Sequence, residues 1–189
     1  MAGKISSFRY ADDLVICCQY FKDATRIKSA LSKRLAKYNL KLNEDKTKMV
    51  EFSKRKESRG MKQETFDFLG FTFYLGKSRK GYIIPQVKTS GKRYRNKLKR
   101  VNEWARQIRN KDPLQEIWKT FCSKLRGHIQ YYGVSFNMRS IGKFSEEAKR
   151  IMFKWLNRRS QKQSFSWDKF GLYTKKFPMP AVKIHHKLF

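Results

Sequence analysis

The sequence predicts an α+β protein in which antiparallel β-hairpins and one packed helix precede an α-helical region. Short β-rich runs alternate with turn residues in the first part of the chain, whereas apolar residues recur at helical spacing after about residue 92. The charge also changes along the chain. Residues 1–75 hold 16 basic and 9 acidic residues, and the remainder holds 29 basic and 6 acidic residues. The chain therefore has two parts of different character.

Composition narrows the class of protein. With 189 residues, of which 40% are hydrophobic, the chain is long and apolar enough to form a core. A net charge of +30 favours a polyanionic partner, either nucleic acid or an anionic membrane. The longest apolar run, residues 14–21, is interrupted by Gln19 and is too short to span a bilayer, and the first eight residues lack a signal-peptide core. We therefore expect a cytoplasmic, nucleic-acid-binding protein without a membrane partner.

Cysteine and histidine residues form no metal-binding pattern. The three cysteines are an odd number without CxxC spacing, which indicates a reduced protein rather than a zinc or disulfide framework. The pair His185-His186 has no cysteine or carboxylate close by in sequence, so we interpret it as part of a solvated tail.

The predicted domain boundary lies in the loop-like sequence of residues 76–81 or shortly after it. A first domain over residues 1–87 contains the strand patterns, and a helical domain over residues 88–160 follows. Residues 161–189 form a basic, aromatic tail without a usable period. No internal repeat is present in the sequence.

The first predicted elements are a hairpin and a helix. The runs SSFRY and LVICC flank Asp12-Asp13 and are apolar enough to be central strands. Asp23 is the predicted N-cap of a helix over residues 24–38. The apolar stripe of this helix comprises Ile27, Leu31, Leu35 and Tyr38.

Two further strand patterns follow in the first domain. Met49–Phe52 predicts a short strand, and a charged loop separates it from Phe66–Leu75. The latter run alternates with period two, so we predict one strand with a bend at Gly70. Its core-facing residues are Leu69, Phe71, Phe73 and Leu75. Tyr82–Val87 then forms the second arm of a hairpin.

Three helices are predicted in the second part. The first covers residues 92–110, and the second begins with Asp112 as N-cap, Pro113 at N1 and Gln115 at N3. The third begins near Ser145. The segment 77–109, which includes the first of these helices, carries 12 basic residues and one acidic residue, Glu103.

The adjacent carboxylates Asp12 and Asp13 have two interpretations. Aspartate is common in hairpin turns because its side chain hydrogen-bonds nearby backbone groups, and a solvated turn needs no further function. Alternatively, carboxylates held on a hairpin tip suit Mg²⁺, which prefers oxygen ligands, and two such ions about 4 Å apart can catalyse phosphoryl transfer. The aromatic Tyr10 lies close by in sequence.

Four segments resemble group II intron-encoded reverse transcriptases, which are also maturases. RYADDLVI is similar to their YxDD box, and LNEDKTKMVEF is similar to the next block of the polymerase palm. FDFLGFTF resembles the block that holds the primer end, and LRGHIQYYG resembles the maturase-specific thumb helix. The four segments also follow one another in the same order as in that family. The resemblance implies a partial polymerase palm, formed by the hairpins and packed helix, followed by an α-helical thumb (domain X).

The resemblance also implies roles for individual residues. Asp12 and Asp13 match the palm aspartates that bind two Mg²⁺ ions, and Tyr10 would lie near the incoming nucleotide. Lys46 matches a lysine near the triphosphate, although an ordinary surface lysine is the alternative. The implied primer-grip residues are Phe68, Leu69 and Gly70.

The helical region is the predicted nucleic-acid interface. Its lysines and arginines suit contacts with phosphates, and its aromatic residues suit base stacking, unless they pack in the core instead. The predicted binding residues are Lys92, Arg93, Arg95, Lys97, Lys99, Arg100, Arg126, Gly127, Tyr131 and Tyr132.

One feature departs from the family pattern. Related enzymes place the fingers and another metal-binding aspartate ahead of the YxDD box, whereas no acidic residue precedes Asp12 here. We therefore predict an RNA-directed DNA polymerase with a maturase role, N-terminally truncated. Its partners would be group II intron RNA, an RNA template, a DNA primer and dNTPs. The alternatives are an inactive RNA-binding remnant, or half of a split enzyme completed by a separate N-terminal fragment.

Overall fold

The computed structural model describes residues 2–61, 63–159 and 165–188, which form two compact units. The first unit is Met1–Gln86 and the second is Val87–Phe189. Together they contain two small antiparallel sheets and six helices among the described residues, which confirms the predicted α+β class. Strand β5 crosses the division between the units.

The first sheet is a two-stranded hairpin. Strands β1 (Ile5–Tyr10) and β2 (Asp13–Cys18) pair antiparallel over six residue pairs, which confirms the predicted hairpin. The prediction that both arms are central strands is wrong, because no third described strand joins this sheet. Apolar side chains such as Phe8, at 57% exposure, and Leu14, at 41%, are consequently accessible to solvent.

Helix α1 (Phe21–Ala36) follows the hairpin and begins three residues earlier than predicted. Its N-cap is Tyr20, whose side chain makes no capping hydrogen bond, so the assignment of Asp23 as N-cap is wrong. Asp23 instead lies in the first turn at 2% exposure, where it accepts hydrogen bonds from the backbone N–H groups of Ala2 (3.2 Å) and Gly3 (3.1 Å). This carboxylate therefore fixes the chain before β1 to the helix.

The segment Met49–Phe52 is not a strand. The backbone N–H of Glu51 donates to Glu64 Oε2, and that of Ser53 donates to Gln63 Oε1, each at 3.4 Å, so side chains satisfy donors that a strand would pair. The predicted charged loop after it contains a short helix, α2 (Lys54–Ser58), and the Ser53 side chain caps its N-terminus.

The predicted strand Phe66–Leu75 is two strands, not one. Strands β3 (Phe66–Phe68) and β4 (Phe71–Lys77) form a hairpin around Leu69-Gly70. Both turn residues have positive φ, 50° and 82°, as expected of a two-residue turn that matches the twist of the strands. The turn reverses the chain, so the predicted face does not exist as one row. Leu75 is buried, but Leu69, Phe71 and Phe73 are half-buried.

Strand β5 (Ile83–Thr89) completes the three-stranded sheet beside β4, which confirms the predicted second arm. The rings of Phe66 and Phe73 stack across β3 and β4 with centroids 5.0 Å apart. Phe52 lies 5.6 Å from the same Phe66 ring, so the segment before α2 packs on this sheet without joining it.

The second unit is helical. Its elements are α3 (Gly91–Ile108), α4 (Leu114–Tyr132), α5 (Met138–Leu156) and α6 (Trp167–Lys176). Helix α4 is capped by Pro113 rather than Asp112, without a side-chain hydrogen bond, so the predicted cap is shifted by one residue. Helix α5 begins well before Ser145, and α6 lies in a region where the sequence showed no period.

The core of the second unit lies between α4 and α5. Helix α4 buries Ile117, Trp118, Phe121, Leu125 and Ile129, and α5 buries Ile141, Phe144, Ala148, Met152 and Leu156. From α6, Phe170 is fully buried and its ring meets that of Trp118 edge-on at 5.7 Å. Each large buried side chain contributes about 1.5–3 kcal/mol to stability. Among the described residues, no helix is both long and apolar enough to cross a membrane.

A buried asparagine joins two separate segments of the second unit by hydrogen bonds. Asn137, which is fully buried before α5, accepts a hydrogen bond from the Thr89 backbone N–H at 2.7 Å. Its Nδ2 donates to the carbonyl oxygen of Tyr132 at 2.9 Å. The amide thus connects the residues before α3 to the turn between α4 and α5.

Candidate metal and nucleic-acid sites

The tip of the first hairpin carries the two adjacent carboxylates. Ala11 and Asp12 form the turn, and Asp13 begins β2 opposite Tyr10. Ala11 has φ 49°, which is unusual for a residue with a Cβ, and its carbonyl oxygen accepts a hydrogen bond from Arg9 Nε at 3.0 Å. Asp12, Asp13 and Tyr10 are all exposed, and Tyr10 is 65% exposed. The pairing register therefore places all three predicted residues at one tip.

The carboxylate pair offers oxygen ligands of the kind that Mg²⁺ prefers, but two side chains do not complete a two-metal site. Within residues 2–61, 63–159 and 165–188, no group of three or more His, Cys, Asp or Glu side chains is placed to hold a metal ion. The described residues therefore supply at most part of the ligand set of a two-metal site, and no catalytic step through the metal follows from them alone.

Lys46 lies on a separate loop of the same unit. Its backbone N–H donates to the backbone oxygen (3.1 Å) and the Oδ1 (3.2 Å) of Asn43, and the Thr47 hydroxyl donates to that backbone oxygen at 2.8 Å. Glu44 forms an ion pair with Lys28 of α1 at 3.2 Å. Asn43 thus fixes the backbone of the loop, and the exposed Lys46 side chain extends from an ordered turn.

The residues matched to the primer grip lie at the second hairpin. Phe68 ends β3, and Leu69 and Gly70 are the two turn residues. Asp67 and Thr72, which face each other in the pairing register, are joined by a side-chain hydrogen bond. The sequence predicted these residues as one strand, whereas the structure places them on a tight turn stabilised from both sides.

Helix α3 presents most of the predicted basic residues to solvent. Lys92, Arg93, Arg95, Lys99 and Arg100 are exposed. Lys97 is half-buried, with its Nζ 5.0 Å from the centroid of the Tyr132 ring. Burial, followed by repulsion from Arg100 and Arg93, lowers the pKa of Lys97. The one ion pair among these residues, within the described part of the chain, joins Lys99 to Glu103 at 3.9 Å. The positive charge of α3 is therefore largely uncompensated.

The predicted residues of α4 are divided between surface and core. Arg126 and Gly127 are exposed, and Tyr131 is 52% exposed. Tyr132 is 2% exposed, so its ring packs within the unit, where it contacts the Lys97 ammonium group. A Cβ at Gly127 would meet no atom within 4 Å, so packing inside this unit does not require glycine there.

His128 belongs to the core rather than to the surface. Its imidazole is 6% exposed and stacks on the Phe144 ring, with centroids 3.7 Å apart and planes at 19°. Neither ring nitrogen has a hydrogen-bond partner among the described residues. Burial, with a smaller contribution from the Lys97 charge, lowers the pKa of His128 to about 3, so the ring is neutral at neutral pH. A buried neutral ring is a poor candidate for direct RNA contact.

Sequence reasoning missed a cluster of cations around Trp155 in α5. The guanidinium of Arg109 lies 5.1 Å from the Trp155 ring centroid, and Arg158 lies 5.4 Å from it. The basic pair Arg158-Arg159 after α5 is the sequence signal that could have indicated this cluster. That Arg158 and Arg109 lie at the same ring depends on tertiary structure, which the sequence does not reveal.

Comparison with protein families gives a match that lies within the first unit. A family model described as reverse transcriptase (RNA-dependent DNA polymerase) matches residues 2–73. The matched segment includes the hairpin-tip aspartates, Lys46 and the second hairpin. Comparison with curated proteins found no match, and comparison with solved structures found none either. Residues 2–73 are therefore similar to reverse transcriptases.

Proposed function

We propose that this chain is part of a group II intron-encoded reverse transcriptase, with the first unit as palm segment and the second as RNA-binding thumb. One observation carries the proposal. The segment that matches reverse transcriptases contains an aspartate pair on a hairpin tip. A helical unit with 26 basic and 6 acidic residues follows it, over positions 87–189. The first part suits nucleotide chemistry, and the second suits a phosphate-rich partner.

In the proposed enzyme, Asp12 and Asp13 supply two of the carboxylate ligands for Mg²⁺. When bound, the two ions would neutralise charge on the transferring phosphoryl group of a dNTP. Tyr10 lies opposite Asp13 and would contact the nucleotide or the template–primer. The exposed Lys46 would approach the triphosphate. A further carboxylate must come from outside the described residues, because those residues hold no third ligand near the pair.

The second unit would bind intron RNA and the template–primer, which includes the maturase role. The exposed lysines and arginines of α3, together with Arg126 and Tyr131 of α4, offer phosphate contacts and one accessible aromatic ring. Binding that depends on phosphate contacts weakens with salt, with a slope of about −0.7 per contact for single strands. RNA affinity of this chain should therefore fall steeply between low and high KCl concentrations.

A second candidate is an RNA-binding protein without polymerase activity. The incomplete carboxylate set favours it, since catalysis of phosphoryl transfer depends mainly on charge stabilisation by the metals. The two candidates agree on RNA binding and differ in one respect. A split or truncated enzyme gains activity when the missing part is supplied, whereas a remnant does not.

Primer extension separates the candidates. The purified chain is incubated with an RNA template, a labelled DNA primer, dNTPs and Mg²⁺. A second reaction also contains a separately produced fingers–palm polypeptide from a group II intron reverse transcriptase. We expect no extension by the chain alone and Mg²⁺-dependent extension in the mixture. No extension in the mixture, with RNA binding retained, would favour the binding protein. Extension by the chain alone would contradict the incomplete metal site.

A further inference from the structure

Three cations surround one indole ring in the second unit. The distances to the Trp155 ring centroid are 5.1 Å for Arg109 Cζ, 5.3 Å for Lys154 Nζ and 5.4 Å for Arg158 Cζ. Trp155 Nε1 donates to Asn102 Oδ1 at 2.8 Å, which joins α5 to α3. The ring is therefore a fixed support that keeps three like charges close together.

Two arginines, Arg109 at the ring and Arg159 next to Arg158 in sequence, have buried donors without an acceptor among the described residues. Arg109 donates through Nη1 to the Arg106 carbonyl at 3.1 Å, but its buried Nε has no partner in the described part of the chain. Arg159 donates through Nη2 to the Asp112 carbonyl at 3.1 Å, but no described residue accepts from its buried Nη1. Buried guanidinium N–H groups are normally satisfied, so both guanidinium groups keep hydrogen-bonding capacity that the described residues do not use.

Within residues 2–61, 63–159 and 165–188, no carboxylate forms an ion pair with the cluster. The ion pairs in the described part of the chain are Lys28–Glu44, Lys56–Glu51 and Lys99–Glu103, and none includes a residue of the cluster. Arg109 follows α3, and Arg158 follows α5, so the negative ends of the helix dipoles attract these cations. The dipoles account for basic residues at helix ends. They do not account for the two unpartnered donors.

We propose that Arg109, Lys154, Trp155, Arg158 and Arg159, which we name the Trp155 patch, form a binding site for a backbone phosphate of RNA. A phosphodiester carries negative charge and offers several acceptor oxygens, which suits guanidinium donors held at fixed positions. The proposal rests on the proposed function, because it assumes that the second unit binds RNA. It adds a second contact site to the RNA interface, because the Trp155 patch contains none of the binding residues that the sequence predicted on α3 and α4.

The test measures the affinity of the full chain for a fluorescein-labelled RNA hairpin with a single-stranded tail, over a series of KCl concentrations. The patch variant is Arg109→Gln/Arg158→Gln. The matched control, Lys169→Gln/Lys175→Gln, removes the same charge from exposed positions on α6. We expect the patch variant to weaken binding about tenfold more than the control. We also expect it to reduce the magnitude of the salt slope by about one or two phosphate contacts.

A second variant keeps the test valid if the first fails to fold. Arg109→Lys/Arg158→Lys retains the charge and loses the planar donors, so we expect a loss of binding between those of the control and the patch variant. Thermal unfolding of each variant checks that it is folded. Equal losses in the patch and control variants would overturn the proposal, since the patch would then be ordinary surface charge.

The source of the phosphate is tested separately. Inorganic phosphate is added at constant ionic strength, and binding of phosphatidylserine vesicles is measured in parallel. The assignment to RNA would be overturned if the patch variant bound RNA as tightly as the control did, and yet was no longer stabilised by inorganic phosphate or no longer bound vesicles. If the wild-type chain binds no RNA, the proposed function and this inference both fail. If it binds RNA and the patch variant matches the control, only the inference fails.

Discussion

The His128 imidazole lies against the Phe144 ring with centroids 3.7 Å apart, and no described residue forms a hydrogen bond with either of its ring nitrogens. This contact joins α4 to α5 in the core of the second unit. It also places a titratable group where the charged form is disfavoured by burial, and the Lys97 charge adds to the effect. The stability of the unit should therefore depend on pH.

The sign follows from the two protonation states. The pKa of His128 is lowered to about 3 in the folded chain, against 6.5 for the ordinary side chain, so the unfolded chain binds more protons between these values. The contribution of neutral His128 is fully present above about pH 6.5 and is lost as pH falls toward 3. We expect the free energy of unfolding to decrease by about 1 kcal/mol per pH unit in this window.

Urea unfolding of the wild type and of His128→Phe between pH 4 and 7.5 measures this dependence. Phenylalanine keeps an aromatic ring on Phe144 and cannot titrate, so the variant should lose the His128 part of the slope. All other ionisable groups are identical in the two proteins, so their contributions cancel in the difference. Identical pH slopes for the two proteins would contradict the neutral, buried His128.

The Asn137 side chain should be essential for the stability of the second unit. Asn137→Ala removes the acceptor of the Thr89 N–H and the donor to the Tyr132 carbonyl, and it leaves both groups buried. We expect a loss of about 2–4 kcal/mol in the free energy of unfolding. Asn110→Ala, at an exposed position after α3, should change it by less than about 0.5 kcal/mol. Similar effects of the two substitutions would contradict this assignment.

Gly127 allows stability and binding to be separated. Its Cβ position is open and it lies in the middle of α4, so Gly127→Ala should stabilise the helix by about 0.5–1 kcal/mol. If RNA approaches the backbone at this exposed position, the same substitution should weaken RNA binding. Thermal unfolding and RNA titration of this one variant measure both effects. Unchanged RNA affinity would show that the glycine is not needed for RNA contact.

The second hairpin should depend on the backbone freedom of Gly70. Its φ of 82° is in the left-handed region, where a side chain with a Cβ is disfavoured, so Gly70→Ala should destabilise the first unit by about 1 kcal/mol. The exposed Gly60, with φ 71° after α2, is a matched position outside the sheet. Substitution at Gly60 carries the same backbone cost, but only Gly70→Ala should also reduce primer extension by the completed enzyme. Equal extension by the two variants would argue against a primer-holding role for this turn.

The spacing of apolar and turn residues predicted those elements of the fold that depend mainly on neighbouring residues in the sequence. The hairpin around Asp12-Asp13 and the helices with apolar stripes could be predicted for this reason. The Phe66–Leu75 segment could not, because apolar alternation continues through the two-residue turn, and Leu69 is not a residue expected at positive φ. Helix α5 begins at Met138, earlier than predicted. Gly142 and the weak N-cap gave no clear sequence signal for this first turn, which is stabilised by tertiary packing of the buried Ile141.

The candidate site was predictable to a similar extent. The aspartate pair is contiguous in sequence, so its position on the hairpin tip follows from the turn. The exposure of the hairpin arms depends on whether other strands cover them, which an apolar run does not reveal. The Trp155 patch combines Arg109 and Arg158, which are far apart in sequence, so the local pattern could not show it.

The most direct test of the central claim is Mg²⁺-dependent primer extension by the completed enzyme with Asp12→Asn or Asp13→Asn in this chain. Asparagine keeps the size of the side chain and removes the charge that would bind metal. The control is Asp168→Asn, an exposed acidic position on α6. We predict a loss of at least about a hundredfold for each hairpin variant, and wild-type extension for the control. Extension that survives both hairpin substitutions would contradict the assignment of Asp12 and Asp13 as metal ligands.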